Sequence, residues 1–412
     1  MTNSEKALKL HEEWNGKIET VSKAAVKSRE DLALAYTPGV AEPCKVIAEN
    51  PEAAYTYTIK SNTVAVISDG SAVLGLGNIG PLAAMPVMEG KAVLFKEFGG
   101  INAFPICLDT QDTEEIIETV VRIAPAFGGI NLEDISSPKC YEIEAELIKR
   151  CKIPVFHDDQ HGTAIIACAA IVGALRYVKK DIDKVKVVVN GCGAAGSAIG
   201  KLLVKLGVKD LTMIDVHGAV YEGRPGDMDM ATAYLAGCTN QRHYTGDLKG
   251  AVKGADVLLG VSAPRLFTRE IIQSMGKDPI VFALANPVPE TTYEEAKAAG
   301  AAVAGTGRSD APNQVNNVCV FPGIFRGALA VRASAITEEM KVAAVKAIAD
   351  LISEDELKED YVVPGAFDRR IVPAIAAAVA KVAMEQGIAR VKRDPEDIRK
   401  EAAERVERNW NH

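Results

Sequence analysis

No block of basic residues in the chain is long enough to track a phosphate backbone, and 47 Lys and Arg are outnumbered by 55 Asp and Glu, for a formal charge of −8. Nucleic acid is therefore excluded as the expected partner, because binding to it rests on many cationic contacts. A small anionic substrate is not excluded, since the local field in a cleft outweighs net charge. No C-x-x-C pair occurs among the 8 cysteines, Cys44, Cys107, Cys140, Cys151, Cys168, Cys192, Cys238 and Cys319. That absence removes zinc ribbons and thioredoxin-type redox motifs. Several cysteines sit in apolar runs such as FPICLD and AIIACAAI, as buried free thiols in a reducing compartment do. The start, MTNSEKALKLHEEWNGK, is charged throughout and lacks the apolar core of a secretion signal. The apolar stretch IVPAIAAAVAKVAM is too short to cross a bilayer and carries Lys381. The expectation is a soluble, cytoplasmic protein with no membrane partner.

What is present is an ordinary globular composition. With 412 residues, 48% of them hydrophobic, the chain has room for two or three domains of about 150 residues and a normal core. Residues 1–30 read as a polar helical lead-in. From Val64 onward short β-rich runs alternate with helical stretches: TVAVIS, NAFPICL, GGINL and IPVFH each precede one. A second series begins at Lys184 with KVVVN, DLTMID, ADVLLGV, PIVFALAN and AAVAGTG. Such alternation implies βα units on mainly parallel sheets, hence an α/β fold of two domains. The boundary is expected near Asp159–Thr163, at the start of a connecting helix. That gives an N-terminal α/β domain over 1–160, a second domain over 161–385 and a charged, capped helix over 386–412. That last helix, DPEDIRKEAAERVERNW, reads as a solvated surface helix or a subunit contact.

Two segments fit G-x-G-x-x-G, GLGNIG (75–80) and GCGAAG (191–196). The second has the full context of a dinucleotide loop. The buried run KVKVVVN ends at Gly191 and SAIGKLLVKLG reads as the following helix. Gly191, Gly193 and Gly196 supply the tight turn, the close approach and the helix–strand contact, with Cys192, Ala194 and Ala195 completing the loop. DLTMID ends in Asp215, close to the roughly 20 residues expected before a ribose-binding acid. A Rossmann-type second domain follows. The first segment fails these tests: Asp69, Gly70 and Ser71 intervene after the strand, Pro81 follows Gly80, and Pro86 should interrupt a helix. GLGNIG is better read as close backbone packing near an active site.

Carboxylates gather at two strand ends. GGINLEDI places Glu133 and Asp134 after one apolar run, and IPVFHDDQHGTA places Asp158 and Asp159 after the next. Neighbouring parallel strands would bring these acids together at the carboxyl edge of the sheet, where open α/β sheets bind ligands. Clustered carboxylates repel unless a cation neutralises them, and an all-oxygen set suits Mg²⁺ or Mn²⁺. HDDQH superficially echoes the H-E-x-x-H zinc helix. Gly162 and the preceding strand place it on a turn, which disfavours zinc.

These residues closely resemble the malic enzymes in their shorter bacterial form, over about residues 10–390. The landmarks are AYTPGVAEPC, SDGSAVLGLGNIGPLAAMPVMEGKAVLFKEFGGI, INLEDI, PVFHDDQHGTA, GCGAAG, ALANPVPE and GTGRSDAPNQVNNVCVFPGIFRGA. The resemblance implies oxidative decarboxylation of L-malate to pyruvate and CO₂ with reduction of NAD⁺ or NADP⁺, dependent on Mg²⁺ or Mn²⁺. It implies Tyr36 as general acid, Lys91 as general base and Asp158 as the lysine's partner. Glu133, Asp134 and Asp159 take the place of the metal ligands. Asn286 and Asn317 take the place of the amides that hold malate, Asn286 also bordering the nucleotide. It further implies a homodimer or larger assembly, and it puts GLGNIG on the substrate side of the cleft. One position departs from the pattern: larger members carry an arginine where this chain has Ala72, so the group that grips that malate carboxylate is open.

A lysine beside the cation would have a depressed pKa and could take the C2 hydroxyl proton, and a tyrosine could protonate C3 after CO₂ is lost. A malolactic-type enzyme and a metal-dependent oxaloacetate decarboxylase are the alternative activities. Asp215 favours NAD⁺ over NADP⁺. His217 and an exposed Arg224 are the two residues placed to reach a 2′-phosphate, so some use of NADP⁺ is expected.

Overall fold

The computed structural model describes residues 2–73 and 75–410; Met1, Leu74, Asn411 and His412 lie outside it. Four runs from the first series form a parallel sheet: β1 (Thr63–Ser68), β2 (Asn102–Cys107), β3 (Gly129–Leu132) and β4 (Val155–His157), in the order β2-β1-β3-β4. β1 is buried along its whole length, which is why its sequence is a continuous apolar run rather than an alternating one. The second series forms a six-stranded sheet from β5 (Lys186–Asn190), β6 (Asp210–Asp215), β7 (Gly218–Ala219), β8 (Val257–Gly260), β9 (Ile280–Ala283) and β10 (Val303–Thr306). Its order is β10-β9-β8-β5-β6-β7, parallel except for the short β7. Both sheets reverse direction beside their first strand, which opens a crevice at the carboxyl edge.

Helix Asp158–Val178 connects the two sheets. Fourteen of its residues are buried, among them Ile165, Ile166, Cys168 and Ile171. It is long and apolar enough to cross a membrane, yet most of it lies inside the protein. One core cluster runs continuously from Val64 and Val66 of β1 through this helix to Val187 and Val189 of β5. Phe95 stands 4.6 Å from Phe321 and 5.4 Å from Phe325 between ring centroids, and Phe156 of β4 stands 6.0 Å from Phe325. This aromatic group fixes helix Gly80–Gly99 and helix Phe321–Ala330 against the first sheet, and with them the residues at their ends.

Three local expectations are corrected. Helix Gly80–Gly99 runs unbroken through Pro86. Pro86 withholds one bond from the carbonyl of Leu82, which lies in the first turn on a residue 84% exposed, where water can replace it. HDDQH does not lie on a turn: His157 ends β4, and the other four residues open a helix that begins at Asp158 itself. The C-terminal helix Pro395–Trp410 is not merely solvated: it buries Ile398, Ala402 and Val406. Its Trp410 ring stands 5.6 Å from Phe98, and its indole N–H donates to the Glu97 carbonyl, so the tail packs on helix Gly80–Gly99. The lead-in forms helices Asn3–Trp14 and Arg29–Ala35, neither with a buried residue.

Candidate active site

The carboxyl edge of the first sheet gathers the acids that its strand order predicts. β3 pairs with β4, so Glu133 and Asp134 lie beside Asp158 and Asp159. Lys91 reaches them from helix Gly80–Gly99. Its Nζ lies 2.7 Å from Asp158 Oδ2 and 2.9 Å from Glu133 Oε1, and 4.3 Å from the centre of the Phe321 ring. Asn317 joins the same group by donating from Nδ2 to Asp158 Oδ2 at 2.6 Å. Glu133 is held by Asn131, whose Nδ2 donates to Oε2 at 2.9 Å. Asp159 accepts the backbone N–H of Asp134 at 2.8 Å.

Gly162 makes room for this arrangement. A Cβ there would stand 1.9 Å from Asp158 Oδ1, so one turn into the helix only glycine leaves space for that carboxylate. Asp134 has a positive φ of 53°, and its carbonyl accepts the N–H of Ala72 at 2.9 Å. The loop before GLGNIG thus clasps the loop that carries Asp134. Asp69, fully buried, anchors this clasp through Lys139 Nζ at 2.5 Å and through the backbone and hydroxyl of Ser71. The sequence reading missed Asp69, Lys139 and the role of Gly162. The only signal was the presence of Asp69 in SDGS and of Gly162 in HDDQHG; Lys139, in SSPKC, carried none.

Oxygen atoms of Glu133, Asp134 and Asp159 all lie within 4.8 Å of one another. Asp134 Oδ2 and Asp158 Oδ1 are buried without a hydrogen-bond partner. Burial, the largest cause, raises Glu133 to about 7, Asp134 to about 8, Asp158 to about 7 and Asp159 to about 6, with mutual repulsion adding to it. Three converging oxygens, an orphaned one among them, in a site that resists carrying three charges, fit a hard divalent cation. Burial alone would lower Lys91, but the attraction of Asp158 and Glu133 outweighs it and raises its pKa. The depression expected above is that of a lysine beside a bound cation. Of the two histidines of HDDQH, His157 brings Nε2 to 3.6 Å from Asp159 Oδ2, beyond a hydrogen bond. His161 faces Glu144 and Lys341 instead.

Tyr36 and Asn286 stand apart from this cluster. Tyr36 ends helix Arg29–Ala35 and is 67% exposed. Asn286 lies exposed on the loop after β9 and makes no hydrogen bond to the cluster. Its neighbour Pro287 is within van der Waals reach of the position a Cβ on Gly75 would take, so GLGNIG and ANPVPE approach each other.

A cavity of about 540 Å³ opens at the reversal point of the second sheet, lined by Gly191, Cys192, Gly193, Asp215, His217 and Arg224 among others. Gly191 has φ 119°, and a Cβ on it would stand 2.6 Å from the Val261 carbonyl. Gly196 is excluded from substitution by the Gly191 carbonyl, 1.9 Å from its would-be Cβ. Helix Ala194–Lys205, with Gly193 as its N-cap, opens onto this cavity, as a pyrophosphate site requires. Asp215 ends β6 and is held by two bonds from Arg224, Nη1 to Oδ1 at 2.8 Å and Nη2 to Oδ2 at 2.6 Å. Arg224 is therefore not the exposed residue expected: its side chain is 8% exposed and committed to Asp215.

A Rossmann-type sheet with a glycine loop, beside a second α/β sheet whose edge holds a buried lysine among acids, defines a dinucleotide-dependent oxidoreductase. The chain belongs to the malic enzyme family: residues 15–115 match the family's N-terminal domain and residues 160–384 its NAD-binding domain. It is 58% identical to the bifunctional malic/malolactic enzyme of Bacillus subtilis over 97% of both chains. It is 56% identical to an NAD-dependent malic enzyme of Geobacillus stearothermophilus, over 91% of this chain and 78% of that one. The crystal structure of a malic enzyme from Pyrococcus horikoshii superposes with a TM-score of 0.94 at 47% identity, over 100% of this chain and 97% of that one.

Proposed function

We propose that the protein oxidises L-malate and decarboxylates the product, giving pyruvate and CO₂ with reduction of a nicotinamide dinucleotide. The observation that carries this reading is the buried Lys91, joined to Asp158 and Glu133 at the edge of a three-carboxylate group. Glu133, Asp134 and Asp159 would hold a divalent Mg²⁺ or Mn²⁺. When bound, the cation supplies Lewis acidity at the C2 oxygen and the oxidised nicotinamide supplies the hydride acceptor. Lys91 first gives a proton to Asp158, whose carboxyl is raised to about 7, and the free amine so formed takes the C2 hydroxyl proton. Loss of that proton and of hydride from C2 gives oxaloacetate. Cleavage of C3–C4 releases CO₂, and Tyr36 protonates C3 of the remaining enolate. Asn317, already on Asp158, and Asn286 orient the malate carboxylates.

NAD⁺ is the preferred nucleotide. Both Nη atoms of Arg224 are engaged by Asp215, and Asp227 and Asp229 line the same cavity. A 2′-phosphate would have to break that pair and sit among carboxylates. Limited use of NADP⁺ requires Arg224 to turn away from Asp215.

The assembly is a homodimer. Within residues 2–60 only Tyr55 is buried, while Leu8, Trp14, Leu32, Leu34 and Tyr36 are exposed. So much apolar surface on one segment is the mark of an interface, and a second copy is the occupant we assign. Tyr36 lies within it, which ties the seating of the acid to assembly. All eight cysteines are free, which suits a cytoplasmic setting.

The malolactic alternative is favoured by one observation, the 58% identity to a protein described as bifunctional. Malate-dependent reduction of NAD⁺, abolished by EDTA and restored by Mn²⁺, tests the main reading. Reduction that persists unchanged in EDTA would overturn it.

A further inference from the structure

The corner between β4 and helix Asp158–Val178 carries both Asp158 and Asp159. One buried carboxylate outside the acid cluster bonds this corner at three points. Glu144 Oε1 accepts the backbone N–H of His157 at 3.0 Å. Its Oε2 accepts Gln160 Nε2 at 3.2 Å and faces His161 Nε2 at 2.9 Å. The bonded residues bracket the two aspartates on either side. The His157 ring makes no hydrogen bond, although its Nε2 lies 3.6 Å from Asp159 Oδ2. The corner is fixed through its backbone and through the two residues that follow.

The chain of contacts continues beyond His161. Its Nδ1 lies 3.0 Å from Lys341 Nζ, and Lys341 also donates to Glu338 Oε1 at 2.8 Å. An ammonium only donates and a carboxylate only accepts. Nδ1 must therefore accept from Lys341, and the ring proton must sit on Nε2, aimed at Glu144. Lys341 and Glu144 together fix one tautomer and one orientation of a neutral imidazole. Glu144 belongs to helix Lys139–Arg150, between β3 and β4, whereas Lys341 and Glu338 belong to helix Glu338–Ala349, beyond the second sheet. The network thus ties the two halves of the chain at the first turn of the helix that joins them.

We propose that Glu144, His161 and Lys341 are positioning residues that set the angle of Asp158 and Asp159, and so set the affinity of the divalent-cation site. This rests on the reading of Glu133, Asp134 and Asp159 as that site. Partners behind metal ligands commonly govern affinity in this way, and their loss costs about 10–100-fold.

The pattern of donors makes a specific test available. In Glu144→Gln the new amide N–H₂ opposes a donor whichever way it turns, either the His157 N–H or the Nε2–H of His161, and the ring cannot move its proton to Nδ1 while Lys341 donates there. In the double variant Glu144→Gln/Lys341→Met, Nδ1 is free to carry the proton and Nε2 can accept from Gln. Mn²⁺ dissociation constants, read by electron paramagnetic resonance on the full-length protein without substrate, should rise about 10–100-fold in Glu144→Gln. They should recover in part in the double variant. NAD⁺ affinity, followed by calorimetry, should stay within about twofold of wild type in both, because the glycine loop is not part of the network. Lys341→Met alone, which leaves Glu144 intact, should show a smaller loss and serves if Glu144→Gln does not fold. A folded Glu144→Gln or Lys341→Met that binds Mn²⁺ as wild type does would overturn the clamp. So would equal loss of Mn²⁺ and NAD⁺ binding, which marks a merely structural role, or a double variant worse than Glu144→Gln. Asp159→Asn is the reference: wild-type protein that binds Mn²⁺ no better than Asp159→Asn would overturn the cation reading itself, and the clamp with it.

Discussion

Lys91 Nζ sits 2.7 Å from Asp158 Oδ2, with the lysine 7% exposed and the aspartate fully buried. A buried ammonium and carboxylate at this distance share a proton readily, and the same Nζ lies 2.9 Å from Glu133, one of the three acids that would hold a cation. Lys91→Ala should lower malate oxidation by about 10²–10⁴-fold, the usual size of a general acid–base contribution. Nucleotide and Mn²⁺ binding should persist. Steady-state kinetics beside binding titrations check this, and more than about a tenth of wild-type turnover would refute the assignment.

Gly162→Ala separates activity from stability. Alanine stabilises a helix interior by about 0.5–1 kcal/mol over glycine, so a thermal scan should show little loss. The added methyl would stand 1.9 Å from Asp158 Oδ1 and must push that carboxylate off Lys91. Turnover should therefore fall steeply in a well-folded protein. Wild-type kcat in this variant would mean that the position of Asp158 does not matter.

Asp134 links the cation to pH. Its carboxyl is raised to about 8 by burial and by Asp159 and Glu133, whereas in an unfolded chain it titrates near 4. Between those values the folded state holds the proton more tightly than the unfolded chain, so the cation-free protein loses stability as pH rises from about 4 to about 8. Asp134→Asn cannot ionise and should lose less. Added Mn²⁺ should raise the melting temperature of wild type most at the upper end of the window, and that of the variant little. Thermal unfolding in EDTA and in Mn²⁺, at about pH 6 and about pH 8, makes the comparison. Identical profiles for the two proteins would contradict it.

Asp215→Ser should release Arg224 from its two bonds. A charge-assisted contact is worth about 1.5–3 kcal/mol, so the ratio of kcat/KM for NADP⁺ over NAD⁺ should rise roughly 10–100-fold. An unchanged ratio would show that the pair does not govern nucleotide choice.

Much of this was legible in the sequence, for identifiable reasons. β1, β3 and β4 end where TVAVIS, GGINL and IPVFH end, because strands buried on both faces must be written as unbroken apolar runs. Adjacent parallel strands then bring Glu133, Asp134, Asp158 and Asp159 together. Gly191, Gly193, Gly196 and Asp215 were legible through their spacing. Lys91 was not, since EGKAVLF reads as any helix surface and only resemblance to a family singled it out. Asp69 with Lys139, and Glu144 with His161 and Lys341, are pairings across 17 to 180 positions, and no periodicity records which distant side chain a buried acid will meet. Arg224 was misread because eight intervening residues, the short β7 among them, hide its return to Asp215. The burial of the C-terminal helix was missed for a similar reason: its few apolar residues, Ile398, Ala402 and Val406, are outnumbered in the text by charges that face water.

The most direct measurement is the product balance of the wild-type protein with L-malate, Mn²⁺ and NAD⁺. The account predicts NADH, pyruvate and CO₂ in equal amounts, with none formed when nucleotide is omitted. Lactate without accumulation of NADH, or release of CO₂ from malate without nucleotide, would contradict it.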